Sequence, residues 1–270
     1  MIAFKSLCRD LLQKLQLLER VRGYHYLAYR NYLRRLGADS GLLFRFQVSV
    51  LPRYARSLFD TTIYVNPFEI RWGGRPPISS RRGYFVMRGD WDIIGKTPIE
   101  QYIRSYPNCR AVLQMFEQGV HYRQTEQYRD MIEAIEQGLY NHWRARGCRN
   151  VADVERYFVA LNETWVNIEH EGYKSQRELG EEDAGDEIGV YIDRYGEFHK
   201  QMGPGHHRLV MARLLRIPQV PVVISGVHYD WAKRCVERFG GDLISAVNRG
   251  IAELACAERT TEPNSFVRNV

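Results

Sequence analysis

The chain has 270 residues, 44% hydrophobic and 26% charged, and its 38 Lys and Arg exceed its 32 Asp and Glu for a formal charge of +6. That composition excludes collagen-like, low-complexity and disordered chains and suffices for one large or two small domains with a sizeable core. A small basic excess is compatible with nucleotide, nucleic-acid or anionic-membrane partners and selects none of them.

Five scattered cysteines, Cys8, Cys109, Cys148, Cys235 and Cys256, show no C-x-x-C spacing. Neither a zinc site nor a disulfide framework is expected, and a reducing cytoplasm fits best. No run approaches the roughly 18 to 20 apolar residues of a membrane span, so no transmembrane segment is expected.

From the N-terminus, Phe4, Leu7, Leu11, Leu15, Leu18 and Val21 recur at three- and four-residue steps, the pattern of an amphipathic helix. A second helix rich in Tyr and Arg is expected over Tyr24–Leu36. Residues 1–40 thus read as a helical extension, with residues 3–36 able to pack on their own domain, on another subunit of a homo-oligomer, or on an anionic membrane surface. Strands are expected at Gly41–Ser49 and Thr61–Val65, with a turn or short helix begun by Pro67. Arg71–Arg82 carries two glycines, two prolines and four arginines and reads as a loop. Tyr84–Met87 is a short strand candidate.

It leads into Gly89-Asp90-Trp91-Asp92. If extended, Asp90 and Asp92 lie on one side of the chain, where they could hold Mg²⁺ or supply a general base; equally, they could cap a turn. Ile99–Phe116 reads as helical with an interruption at Pro107, Glu126–Tyr140 as a clearer helix, and Val151–His170 as a long one stopped by Gly172. Lys174, Ser175 and Gln176 then offer polar donors just past a helix end. Helices are also expected at His228–Phe239 and Asp242–Ala257, and residues 259–270 read as a frayed tail.

The stretch from Glu187 to Ile224 combines structure with chemistry. Ile188–Ile192 reads as a strand, Arg194-Tyr195-Gly196 as a turn, and Phe198–Met202 as a return strand. Then comes Gly203-Pro204-Gly205-His206-His207-Arg208, a helix stopped by Pro218, and a strand over Val220–Ile224. Glycines at a strand-to-helix junction let backbone amides approach a phosphate at the positive end of the helix dipole. His206, His207 and Arg208 would add side-chain donors. The bland alternative is a tight turn bearing surface basic residues.

Helix 151–170, the EGYKSQREL segment, the hairpin, GPGHHRLVMARLL and VPVVI together resemble the ParB/sulfiredoxin superfamily, with Thr61–Ile70 in the place of its first strand. The resemblance implies an α+β fold in which helices pack on a mixed sheet over residues 41–258, with about 71–150 inserted or accessory. It also implies a nucleotide held by the glycine loop. His206 stands where sulfiredoxins have their reactive cysteine, and the loop lacks the glutamate of ParB partition proteins. It is closest to the Asp-Gly-His-His-Arg loop of the superfamily's free serine kinases, with Pro204 in place of the aspartate. The implied function is phosphoryl transfer to a small acceptor, or nucleotide hydrolysis, with Mg²⁺ and ATP or CTP. Its phosphate-binding residues would be Gly203, Gly205, His206, His207, Arg208, Lys174, Ser175 and Gln176. Asp90 and Asp92 would be metal ligands or base, and Glu69 would be a further base by analogy with those kinases. The alternative is a non-catalytic DNA-associated or regulatory module of the same fold.

Overall fold

A computed structural model of the chain describes residue 59 and residues 61–74, 85–180, 187–200 and 205–257. The N-terminal extension, the Gly41–Ser49 strand, most of the arginine-rich loop, Gly203, Pro204 and the tail lie outside the described residues.

The fold is α+β. Among the described residues, seven strands, β1 (Thr62–Val65), β2 (Ile70–Gly73), β3 (Val86–Met87), β4 (Thr97–Pro98), β5 (Ile188–Ile192), β6 (Phe198–Lys200) and β7 (Val220–His228), form one mixed sheet ordered β1-β7-β5-β6-β2-β4. β3 pairs with the far end of β7, parallel to it, through Val86↔Val227 and Met87↔His228. β5 and β7 are parallel, β5 and β6 form an antiparallel hairpin, and β6 is parallel to β2. All five residues of β5 are buried, as in a central strand covered on both faces.

The helices follow the periodic segments. They are α1 (Ile99–Ser105), α2 (Pro107–Val112), α3 (Glu126–Glu136), α4 (Val151–Glu171), α5 (His206–Leu214), α6 (Tyr229–Phe239) and α7 (Leu243–Ala257). Pro107 starts α2 at a position where its missing N–H costs nothing. Asn150 caps α4, its Oδ1 accepting from the Asp153 amide at 2.9 Å, and Gly172 ends it at φ +79°. α1 packs on β2, α2 and α5 pack together with α5 reaching β5, α6 lies against β7 and β3, and α7 against β1. Phe158 of α4, Met131 of α3, Leu209 and Met211 of α5 and Ile188, Ile192 and Ile224 of the sheet are fully buried between them.

One local reading is corrected. Arg71, Trp72 and Gly73 belong to strand β2, not to a loop. A Cβ on Gly73 would sit 2.3 Å from the Tyr102 ring, so the glycine that looks like a breaker admits α1 against the strand. β7 also runs four residues past Ile224, to His228. Among the described residues, no helix is long and apolar enough to cross a membrane.

Candidate functional site

Gly205 takes φ +79° and precedes α5 directly. A Cβ there would lie 2.5 Å from the Ile188 Cα, 2.8 Å from the Ile188 amide nitrogen and 2.9 Å from the Glu187 carbonyl oxygen. The chain therefore passes in close contact with the first residues of β5, and only glycine fits. No side chain caps α5 at this end, which leaves its first amides for other acceptors.

The two histidines differ from expectation. The His206 ring is buried, with Nε2 at 2.8 Å from the Tyr102 hydroxyl and its plane stacked on Tyr106 at 4.3 Å. His207 meets the Tyr157 hydroxyl at 3.1 Å, and that hydroxyl accepts from Gln127 Nε2 at 3.0 Å. Burial, with help from Arg146, lowers the His207 pKa to about 4. The ring is neutral at pH 7 and brings no positive charge to an anion. Both side chains pin the start of α5 to α1, α2 and α4.

Arg208 points elsewhere. Its guanidinium lies 3.8 Å from Glu187 Oε2, 5.7 Å from the centre of the Tyr173 ring, and against the Gln176 side-chain amide, whose oxygen faces it. Glu187 is buried and its Oε1 accepts from the Gln176 backbone amide at 2.5 Å. Sequence separation hides this cluster: an arginine on α5, a glutamate before β5 and the segment after α4 meet at one place. Beside it, Thr164, Asn167, Gly172, Tyr173, Lys174 and Arg208 line a cavity of about 110 Å³. The Tyr173 hydroxyl is buried, and burial pushes its pKa up against the opposing effect of the Arg208 guanidinium. Lys174 is half-exposed and paired with Glu171. Ser175 turns away, its amide and hydroxyl both donating to Glu178 Oε2 at 2.7 Å.

Asp90 and Asp92 form a different feature. Asp92 is wholly buried; its Oδ2 accepts from the Arg194 amide at 3.0 Å and from Nε at 2.8 Å, and its Oδ1 from Nη2 at 2.8 Å. Asp90 Oδ1 accepts from the same Nη2 at 2.7 Å. Burial pushes the Asp92 pKa up, but the Arg194 hydrogen bonds outweigh it and hold the pKa below the usual carboxylate value. Arg194 follows the end of β5, whereas Gly205 packs on its beginning, roughly 15 Å away at about 3.3 Å per residue. Phosphates on the glycine loop and a metal on these aspartates therefore do not converge, and a carboxylate bound by a guanidinium does not fit Mg²⁺. Among the described residues, no group of three or more His, Cys, Asp or Glu is placed to hold a metal. Glu69 is half-exposed and bridges Arg71 at 3.0 Å. Its turn packs on the far end of α5, where Arg213 Nη1 donates to the Pro67 carbonyl at 2.7 Å. That end is about 12 Å along the helix from Gly205.

Sequence reasoning missed Tyr173, although it stands between a helix-stopping glycine and three polar donors, and it missed the charge in β6. Lys200 is 1% exposed, and burial lowers its pKa to about 7. Below about pH 7 the folded state must bury a charge that the unfolded chain solvates, and near pH 10.5 neither state carries it. This residue therefore makes stability rise with pH between about 7 and 10. Urea unfolding across that range is expected to show the rise in the native chain and a flatter profile in Lys200→Met.

Comparison with protein-family models, with curated proteins and with solved structures finds no match for this chain.

Proposed function

We propose that the chain is a nucleotide-binding protein of the ParB/sulfiredoxin type that seats a phosphate at the cavity between Arg208 and Lys174. Bound there, the nucleotide would be hydrolysed or would give its terminal phosphoryl group to a small acceptor. The observation that carries this reading is the convergence of Arg208, Lys174 and Tyr173 on one cavity beside the open end of α5. At about 110 Å³ it has room for a few waters or one phosphoryl group, which leaves the nucleoside to lie outside it. A guanidinium and an ammonium supply charge and charge-assisted hydrogen bonds to a phosphate oxygen. His206, His207, Asp90 and Asp92 are occupied structurally and have no role in this reading.

Thermal melting of the full chain with ATP and with CTP, each with and without Mg²⁺, is the test, because a ligand that binds only the folded state raises Tm by mass action. A rise with at least one nucleotide is expected. Lys174→Ala, at a half-exposed position with little structural role, is expected to weaken binding by about tenfold or more, as loss of a charge-assisted contact of roughly 1.5–3 kcal/mol does. Arg208→Ala is expected to lose more. No shift with any nucleotide, or Lys174→Ala and Arg208→Ala binding like the parent, refutes the proposal.

A further inference from the structure

The cavity beside α5 is electrically balanced by its own side chains. Arg208 faces the Glu187 carboxylate at 3.8 Å, Lys174 pairs with Glu171, and Glu171 lines the cavity beside Lys174. The formal charges of the four cancel. A terminal phosphate that entered alone and drew Lys174 to itself would leave the Glu171 carboxylate facing phosphate oxygens, a like-charge contact that opposes binding. The countercharge has to arrive with the ligand.

Glu171 is placed to receive it. It is the last residue of α4, at the negative end of the helix dipole, where cations are favoured. Its side chain is 55% exposed and pairs with one flexible ammonium, whereas Asp92 is wholly buried and gripped by three hydrogen bonds from Arg194. The ammonium shows that a cation settles at this carboxylate, and its hydrogen bond holds the Glu171 pKa below the ordinary carboxylate value. Mg²⁺ suits such a place because it keeps several waters and binds through one or two carboxylates together with substrate phosphates. It does not need a group of three His, Cys, Asp or Glu, which the described residues do not offer.

We propose that the ligand of this cavity is the Mg²⁺ complex of a nucleotide, and that Glu171 is the protein's ligand to the ion while Lys174 passes to the phosphate. The proposal rests on the phosphate reading above and adds to it a residue and an ion.

Isothermal titration of the full chain with ATP and with CTP, in Mg²⁺ or in EDTA, tests it through binding alone. The native chain is expected to bind at least one nucleotide about tenfold more tightly with Mg²⁺. Glu171→Gln, an isosteric change at an exposed position, is expected to move the two conditions apart in sign. Binding weakens with Mg²⁺, and in EDTA it equals or exceeds that of the native chain because the repelling carboxylate is gone. Lys174→Ala should weaken both and keep the Mg²⁺ preference. Glu169→Gln, on the same helix but outside the cavity lining, should change neither. A native chain that binds the free nucleotide as tightly as its Mg²⁺ complex, a preference undiminished in Glu171→Gln, or one that falls equally in Glu169→Gln overturns the inference. The phosphate reading survives any of these if Arg208→Ala still abolishes binding, whereas no binding in either condition removes both.

Discussion

Gly205→Ala is expected to destabilise the fold by about 4 kcal/mol or more in urea unfolding, a loss reserved for changes that force backbone apart. Two effects add. The left-handed φ of +79° costs a residue with a Cβ roughly 1–2 kcal/mol. The new methyl would also lie 2.5 Å from the Ile188 Cα and 2.9 Å from the Glu187 carbonyl oxygen. These are backbone atoms of the central strand and cannot rotate away. Gly172→Ala isolates backbone strain from the clash, since Gly172 also has a positive φ, with ψ 173° against 14° at Gly205, and nothing within 4 Å of its Cβ position. It is expected to cost about 1–3 kcal/mol. Equal losses at the two glycines would mean that α5 does not meet β5 as closely as described. Because Arg208 sits in the first turn of α5 and Glu187 precedes β5, the same methyl would pull apart the cluster beside the phosphate cavity. Nucleotide binding should therefore fall with stability in Gly205→Ala.

The sequence made legible what depends on neighbours along the chain. The alternation and turn residues of 188–200 identify the hairpin, and the apolar face of 151–171 with Gly172 fixes α4 and its end. Two glycines with a basic run point to a strand-to-helix junction, and the structure places Gly205 at one. What depends on contacts across the chain was hidden. Nothing near Gly73 says that a tyrosine ring 29 positions away needs the space. His206 and His207 read as donors to a ligand because the tyrosines that occupy them come from α1 and α4. Asp90 and Asp92 read as a metal pair because Arg194 is about 100 positions distant. In each case a residue type suited to chemistry is equally suited to satisfying a buried partner, and only the tertiary structure decides. Arg208 shows the converse: its expected neighbours Lys174 and Gln176 do come together with it, across a separation of more than 30 positions.

Arg194→Ala is expected to cost about 3–5 kcal/mol, as breaking a buried ion pair does when one charge is left behind. The Asp92 side chain is wholly buried and takes two side-chain hydrogen bonds and one backbone hydrogen bond from Arg194. The His228 ring lies 3.7 Å from the same carboxylate. Asp90→Ala, by contrast, removes a side chain that is largely exposed and should cost less than about 1 kcal/mol. The sign of the pH dependence follows from the Asp92 pKa, which lies below its unfolded value. Its contribution is complete above about pH 4 and is lost as pH falls through the folded pKa. In Arg194→Ala the buried carboxyl keeps desolvation without its partner, so its pKa rises and acid now relieves the folded state. The stability gap between the native chain and Arg194→Ala should therefore be widest near neutral pH and narrow towards pH 3. Adding Asp92→Asn should recover part of the loss, with a coupling energy that a double-mutant cycle measures. A gap that stays constant with pH, or an Asp90→Ala variant as unstable as Arg194→Ala, would assign the clamp to the wrong carboxylate. The clamp joins the 89–95 turn to the hairpin that carries Tyr195 and Gly196.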